Sequence, residues 1–456
     1  MRLLIVGGGW AGLSAAMRAA DRGWQVTLVE ASRQLGGRAR AIDHQGQRWD
    51  NGQHILIGAY TETLALMREL GLDPNACLHR IPLTLRRPDG QGLTLPDVAA
   101  PWNLLLGMWR ARGWNWHDRW SLLRVALQWQ RDGFACADLA TVADVCSGVS
   151  TRVMDQLIEP LCVSALNTPA SQASGAVFLR VLRDGLWSGA GGSDLLLPKT
   201  DLSAVLPDAA HDWLLQHGVT IQLGCRWVSD APSHSPGVPQ TGSAAASSHG
   251  PTNHKDLCDL SQIESFDAVV LACPAWEAAR LTATRFPDWS TQARGLQHAP
   301  ITTVYLRHPD PGAVALPHPM LALPSDEHRP AQFVFDRGQW MGPSQRGVLA
   351  CVVSHSEGTR EALEQRVLTQ VQDQLRCFEG CTDMDQLCVE LTVVEKRATF
   401  VCSPGLKRPA QAIGPGWWAC GDYTDGPYPA TLEGAVRSGR EVIDQIAQRA
   451  EREGRL

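Results

Sequence analysis

Lysine is almost missing from this chain. Of 41 basic residues only Lys199, Lys255, Lys396 and Lys407 are lysines, and 47 acidic residues leave a formal net charge of −6. That balance gives no reason to expect a nucleic-acid partner, and the arginine bias reads as genome composition. Long apolar runs are missing too, since none reaches the 18 or so residues of a membrane span. The first apolar stretch, residues 3–6, leads into glycines and reads as a strand rather than a signal peptide. Metal-type cysteine spacing is also absent. The thirteen cysteines are scattered, and Cys377, Cys381 and Cys388 lack the CxxC spacing and nearby histidines of a zinc site. No metal is expected, and the thiols read as free in a reducing cytoplasm. What is present is a 456-residue chain, 44% hydrophobic and without internal repeats, long enough for two or three domains.

The organising signal is N-terminal. Residues 2–6 read as a buried strand, 11–22 as a helix with small residues facing it, and 24–30 as a second strand. Between strand and helix stands Gly7-Gly8-Gly9-Trp10-Ala11-Gly12, a GxGxxG motif. Gly7 permits the tight turn, Gly9 lets the backbone approach a pyrophosphate, and Gly12 allows close helix–strand packing. Trp10 and Ala11 open the helix whose N-terminus faces the phosphate charge. Glu30, ending the second strand, stands where a carboxylate accepts both ribose hydroxyls. The motif specifies a dinucleotide and leaves NAD and FAD open.

Strand patterns at residues 219–223, 268–272 and 417–420 extend the same α/β domain, so its parts are dispersed and other segments are inserted between them. Residues 229–256 are rich in Ser, Pro, Gly, Ala and His and read as a disordered surface loop. Residues 101–134 carry Trp102, Trp109, Trp114, Trp116, Trp120 and Trp129. From His117 onward this stretch fits a helix with a polar arc of Ser121, Arg124, Gln128 and Arg131. Two readings stand for the tryptophans: core or lid packing, and a membrane-facing portal.

Leu35-Gly36-Gly37-Arg38 resembles the GGR segment of the amine-oxidase and phytoene-desaturase superfamily of flavoproteins, which decides for FAD. The resemblance implies that Gly36 and Gly37 let the chain run over the cofactor and that Arg38 pairs with its phosphates. Gly421-Asp422 resembles the second FAD signature of that superfamily. It implies an aspartate on the ribityl or pyrophosphate region, followed by a helix that opens at Thr431 and Leu432 and points at the flavin. Val228 would touch adenine through its backbone.

A closer resemblance rests on Asp50-Asn51-Gly52-Gln53-His54, Glu159-Pro160-Leu161, Asn167-Thr168-Pro169, residues 395–400 (EKRATF) and Gly421-Asp422-Tyr423-Thr424. Together these are similar to the squalene-associated FAD-dependent desaturases, understood as hydroxysqualene dehydroxylases of bacterial squalene and hopanoid synthesis. The match spans essentially the whole chain, residues 229–256 apart. It implies an α/β fold with a discontinuous FAD-binding Rossmann-like domain (1–65, 205–280 and 410–456). An inserted mixed-sheet substrate domain with a helical cap is implied over 66–204 and 281–409. It also implies loss of a hydroxyl from an isoprenoid lipid alcohol with hydride from reduced flavin. Gly52, Gln53 and His54 would then run along the flavin, with His54 as the proton donor or only a hydrogen-bonding group. Tyr423, Asp425 and Tyr428 are alternative donors. The lack of a second clean GxGxxG argues against a dedicated NADPH domain, so a separate flavin reductant is expected. A substrate so insoluble would arrive from neighbouring squalene-pathway enzymes or from the inner face of the cytoplasmic membrane. Another flavin oxidase or desaturase, and a non-catalytic flavin-binding scaffold, are the competing readings.

Overall fold

The computed structural model describes residues 1–98, 101–186, 189, 191–227 and 265–454. Val228 and the loop expected at 229–256 lie outside these residues. In chain order the elements that build the site begin with β1 (Arg2–Val6), α1 (Trp10–Asp21) and β2 (Gln25–Glu30). Two tryptophan-bearing helices follow, α2 (Trp102–Arg110) and α3 (Trp116–Arg131). Next come α4 (Glu159–Leu166), α5 (Gly175–Leu186), α6 (Pro207–Gln216), β3 (Thr220–Leu223) and β4 (Ala268–Leu271). A run of strands comprises β5 (His298–Arg307), β6 (Met320–Ala322), β7 (Phe333–Asp336), β8 (Val348–Ser354) and β9 (Cys388–Phe400). The last elements are β10 (Ala412–Gly414), β11 (Trp417–Ala419) and α7 (Leu432–Arg452).

The first sheet has the order β3-β2-β1-β4-β11-β10 and is parallel except for β10. Its central strand is apolar on both faces, as a doubly covered parallel strand must be. Leu3 and Ile5 enter the core shared with α1 and α7, whereas Leu4 and Val6 enter a second core that reaches the cap helices. Helix α1 is small on its packing side because α7 crosses it closely. A Cβ on Gly439 would come within 2.3 Å of the Ala11 carbonyl oxygen, and Ser14 Oγ donates to the Val436 carbonyl. That crossing brings the C-terminal segment onto the N-terminal glycine loop.

The second sheet, β6-β7-β8-β5-β9, is antiparallel where its strands pair. Alternation along β5 divides its side chains. Val304 and Leu306 pack with Leu363, Val367 and Val371 of the helix Arg360–Leu375, so Thr303 and Tyr305 point the other way, toward residues 50–53. Helices α2 to α5 form a helical layer. The polar arc expected on α3 is corrected at Ser121, which is buried. Its Oγ donates to the Asp118 carbonyl and accepts from Ser150 N–H, so local bonding offsets burial. Cys225 is disulfide-bonded, so the expectation of free thiols throughout does not hold there.

Candidate functional site: a glycine cradle beside an apolar cavity

The βαβ turn is built by exclusion of side chains. Gly7 has φ +114°, and a Cβ there would sit 2.7 Å from the Ala272 carbonyl. A Cβ on Gly12 would sit 1.9 Å from the Gly7 oxygen, so helix and strand meet with no room for a methyl group. Gly9 differs: its would-be Cβ meets only Gly37 Cα, at 3.7 Å. Gly36 N–H donates to the Gly8 carbonyl, and Gly9 bridges Gly36. The GGR turn therefore folds over the helix N-terminus with glycine facing glycine. Trp10 is buried and donates from Nε1 to the Ala39 carbonyl, which ties that turn to α1. Glu30 Oε2 accepts from Gly8 N–H at 2.6 Å and Oε1 from Ser32 N–H at 2.7 Å. This fixes the carboxylate at the mouth of the turn.

Gly421 and Asp422 arrive opposite. Gly421 N–H donates to Ser438 Oγ on α7. Arg38 and Asp422, each implied to hold the cofactor, are paired with each other at 2.6 Å. Burial opposes the charge on Arg38, but the Asp422 carboxylate outweighs it and raises the guanidinium pKa. Thr431 caps α7 by accepting from Gly434 N–H at 2.9 Å. The backbone is drawn tight just before that cap, since Ala430 holds a left-handed φ of +56° and donates to the Asp422 carbonyl. A Cβ on Gly434 would lie 1.9 Å from the Tyr428 oxygen. Asp422, the α7 N-terminus and the Gly7 turn thus converge. An open glycine lining, an anchored carboxylate and two helix N-termini form a cradle that fits a dinucleotide.

Residues 50–63 cross this cradle and are clamped at both ends. Asp50 is buried and pairs with Arg337, itself 1% exposed, at 3.0 Å. Arg337 also donates to Gln53 Oε1 and Gln345 Oε1, while Leu202 N–H donates to Asp50. Tyr305 donates its hydroxyl to the Asp50 carbonyl, and Gln53 N–H donates to Thr303 Oγ1. At the other end buried Glu433, from the first turn of α7, accepts from Glu62 and Thr63 N–H groups. Neither Arg337 nor Glu433 carries a sequence signal, because partners 287 and 370 residues away are invisible along the chain. His54 lies between the clamps with Nδ1 2.9 Å from the Gly52 carbonyl. Burial lowers its pKa, with Arg38 adding to the effect, which favours the neutral imidazole, and Nε2 is the nitrogen left to accept a proton. Tyr423 is in the core instead. Its hydroxyl has no partner among the described residues, and burial raises its pKa well above 10, so it is a much weaker acid than an exposed tyrosine. Asp425 is exposed, and Tyr428 lies against Asp184 of α5.

Under the helical layer lies a small cavity of about 20 Å³ lined only by apolar side chains, among them Leu95, Leu104, Leu122, Trp129, Leu161 and Leu182. The single indole N–H in that lining is bonded to the Val145 carbonyl. Helix α5 connects cavity and cradle, because Leu182 lines the one while Asp184 meets Tyr428 at the other. A run of π-helix, Met154–Ile158, supplies Leu157 and Ile158 to the same wall. Such bulges recur at functional sites. The tryptophans divide: Trp114 and Trp129 are 4% and 6% exposed, whereas Trp102, Trp109, Trp116 and Trp120 are 63–68% exposed. Core packing therefore accounts for only two of the six.

Among the described residues no cluster of His, Cys, Asp and Glu has a metal-binding arrangement, and no helix is long and apolar enough to cross a membrane. Residues 10–447 match the family model for flavin-containing amine oxidoreductases. The hydroxysqualene dehydroxylases of Rhodopseudomonas palustris and Zymomonas mobilis are each 26% identical to this chain. The first alignment covers 97% of both chains, the second 96% of this one and 97% of the relative. Cyclohexylamine oxidase from Brevibacterium oxydans superposes with a TM-score of 0.65 at 14% identity over 99% of each chain. An oxidoreductase from Methanosarcina mazei gives 0.65 at 16% identity, over 97% of this chain and all of the other. The chain belongs to the flavin-containing amine oxidoreductase family, and its cofactor is FAD.

Proposed function

We propose that this flavoprotein is a hydroxysqualene dehydroxylase, exchanging the hydroxyl of a long isoprenoid alcohol for hydrogen. The similarity to hydroxysqualene dehydroxylases over 96–97% of this chain carries the reading. The wholly apolar lining under the helical layer supports it, because an ammonium substrate against that wall would lie unpaired at high cost. Replacing C–OH by C–H consumes one hydride and one proton and releases water. Bound FAD, once reduced, supplies the hydride.

The chain's own residues do the rest. Gly7, Gly9, Trp10, Ala11 and Gly12 form the pyrophosphate turn, and Glu30 takes the ribose. Gly36, Gly37, Arg38, Gly421 and Asp422 enclose the middle of the cofactor. The α7 N-terminus at Thr431 and Leu432 favours negative charge at the far end. Gly52, Gln53 and His54, held by Arg337 and Glu433, border the reacting face. The leucine wall excludes water while the C–O bond breaks. His54 Nε2 is the position at which a proton would be held for the leaving hydroxyl. We place the protein at the cytoplasmic side of the membrane, with a separate reductase renewing its electrons.

The test is anaerobic incubation of the FAD-loaded protein with hydroxysqualene and a flavin reductant, followed by lipid analysis. Squalene should form without oxygen. Failure to exceed the no-enzyme control would overturn the assignment, and peroxide release on air exposure with an oxidised product would favour an oxidase.

A further inference from the structure

Seven of the ten exposed large apolar residues among the described residues fall between positions 98 and 127. Trp102, Leu106 and Trp109 recur at helical spacing on the outer face of α2, so that face is apolar toward solvent. The inner face is apolar too, with Leu104, Gly107 and Met108 buried. Trp116 and Trp120 continue the outer surface onto α3. The corner is rigid. An Asn115–Asp118 capping box starts α3, and Arg119 donates to the carbonyls of Met108, Trp109 and Ala111 that end α2. Trp109 and Trp116 meet edge to face at 5.5 Å, and Arg119 lies over the Trp116 ring.

The charge is of one sign. Residues 101–131 hold five arginines (110, 112, 119, 124 and 131) and one acid, Asp118. Asp118 is buried against Arg152, so the surface is cationic on a chain whose net charge is −6. Exposed indoles flanked by arginine are the composition of an interfacial helix pair. These two helices also carry Leu104, Leu122 and Trp129 into the apolar cavity, so one wall separates the outer patch from the inner space.

We propose that the α2–α3 corner docks on an anionic phospholipid bilayer. Docking inserts Trp102, Trp109, Trp116 and Trp120 at the headgroup level, while Arg110, Arg112 and Arg124 meet lipid phosphates. The bilayer is then the anchor, and an apolar substrate dissolved in it lies against the same helices. Binding itself is independent of turnover, so the hydroxysqualene assignment can fail without it.

The experiment is cosedimentation of the FAD-loaded protein with vesicles of phosphatidylcholine alone or mixed with phosphatidylglycerol, at low and high salt. Binding should rise with phosphatidylglycerol and fall with salt. Trp102→Ser with Trp120→Ser should lower partition about tenfold while FAD content and Tm stay unchanged. Arg110→Glu with Arg112→Glu should lower it about fivefold per charge or more, on anionic vesicles only. Absence of wild-type binding to either vesicle would overturn the proposal. So would unchanged partition in the tryptophan variant. A wild-type dimer that the tryptophan variant converts to monomer, without vesicle binding, would assign the patch to a second copy instead.

Discussion

Arg337 is buried because Asp50, Gln53 and Gln345 together accept from its guanidinium, and the ring of Tyr305 lies 5.3 Å away. Removing one partner strands the other charge. Arg337→Met should therefore destabilise the protein by about 3–5 kcal/mol, read by urea unfolding, and should weaken FAD retention because residues 50–53 lose their anchor. Retention equal to wild type in a folded variant would separate the ion pair from the cradle. The histidines make a pH prediction. Burial lowers the pKa of His54 and of His298, with Arg38 a further cause in each. Because they take up a proton less readily in the fold than when unfolded, the unfolded chain binds more protons as pH falls below about 6.5. Their stability contribution is intact above that range and is lost progressively below it. Unfolding free energy should decline from about pH 7 toward pH 5, less steeply in His54→Asn. If His54 is the proton donor, that variant also loses the acid-favoured limb of the rate profile.

Elements meet here through the side chains they lack. α1 and α7 approach because Gly439 faces the Ala11 carbonyl, with its own Cβ position 2.3 Å from that oxygen. Gly439→Val should push the helices apart, cost roughly 1–3 kcal/mol and lower FAD affinity. A cavity-forming change elsewhere on α7, such as Ile446→Ala, should cost stability with less effect on the cofactor. Thr431→Ala removes the cap of α7 at about 1 kcal/mol, a loss that thermal unfolding should report. The glycine turn, Glu30 and the C-terminal Gly-Asp pair were legible in the sequence because each is local and its spacing is set by a turn or strand end. The Arg38–Asp422 pairing was not, since it joins residues 384 apart. Nor was the burial of Ser121, which helical spacing placed on a polar arc and Asp118 and Ser150 satisfy internally.

At the scale of the molecule, two sheets and a helical layer put a charged cradle at one end of α5 and a hydrocarbon-lined space along it. That space has room for about one water molecule, so Leu161→Trp should overpack it and cost roughly 1–3 kcal/mol, read by urea unfolding. A variant as stable as wild type would show that the helical layer yields to admit a larger group.

The sequence alone determined the glycine turn and the strand–helix–strand unit, because these depend on near neighbours and on glycine's missing Cβ, and its strand patterns marked the dispersed strands that join the same parallel sheet. It also supplied the family-like segments from which the substrate reading starts. Only the tertiary structure decided which tryptophans are core and which are surface. It alone gathered the apolar lining under the helical layer and set Arg337 and Glu433 as clamps. Burial and charge pairing belong to contacts between residues far apart in the chain, and those exist only once the fold has brought them together.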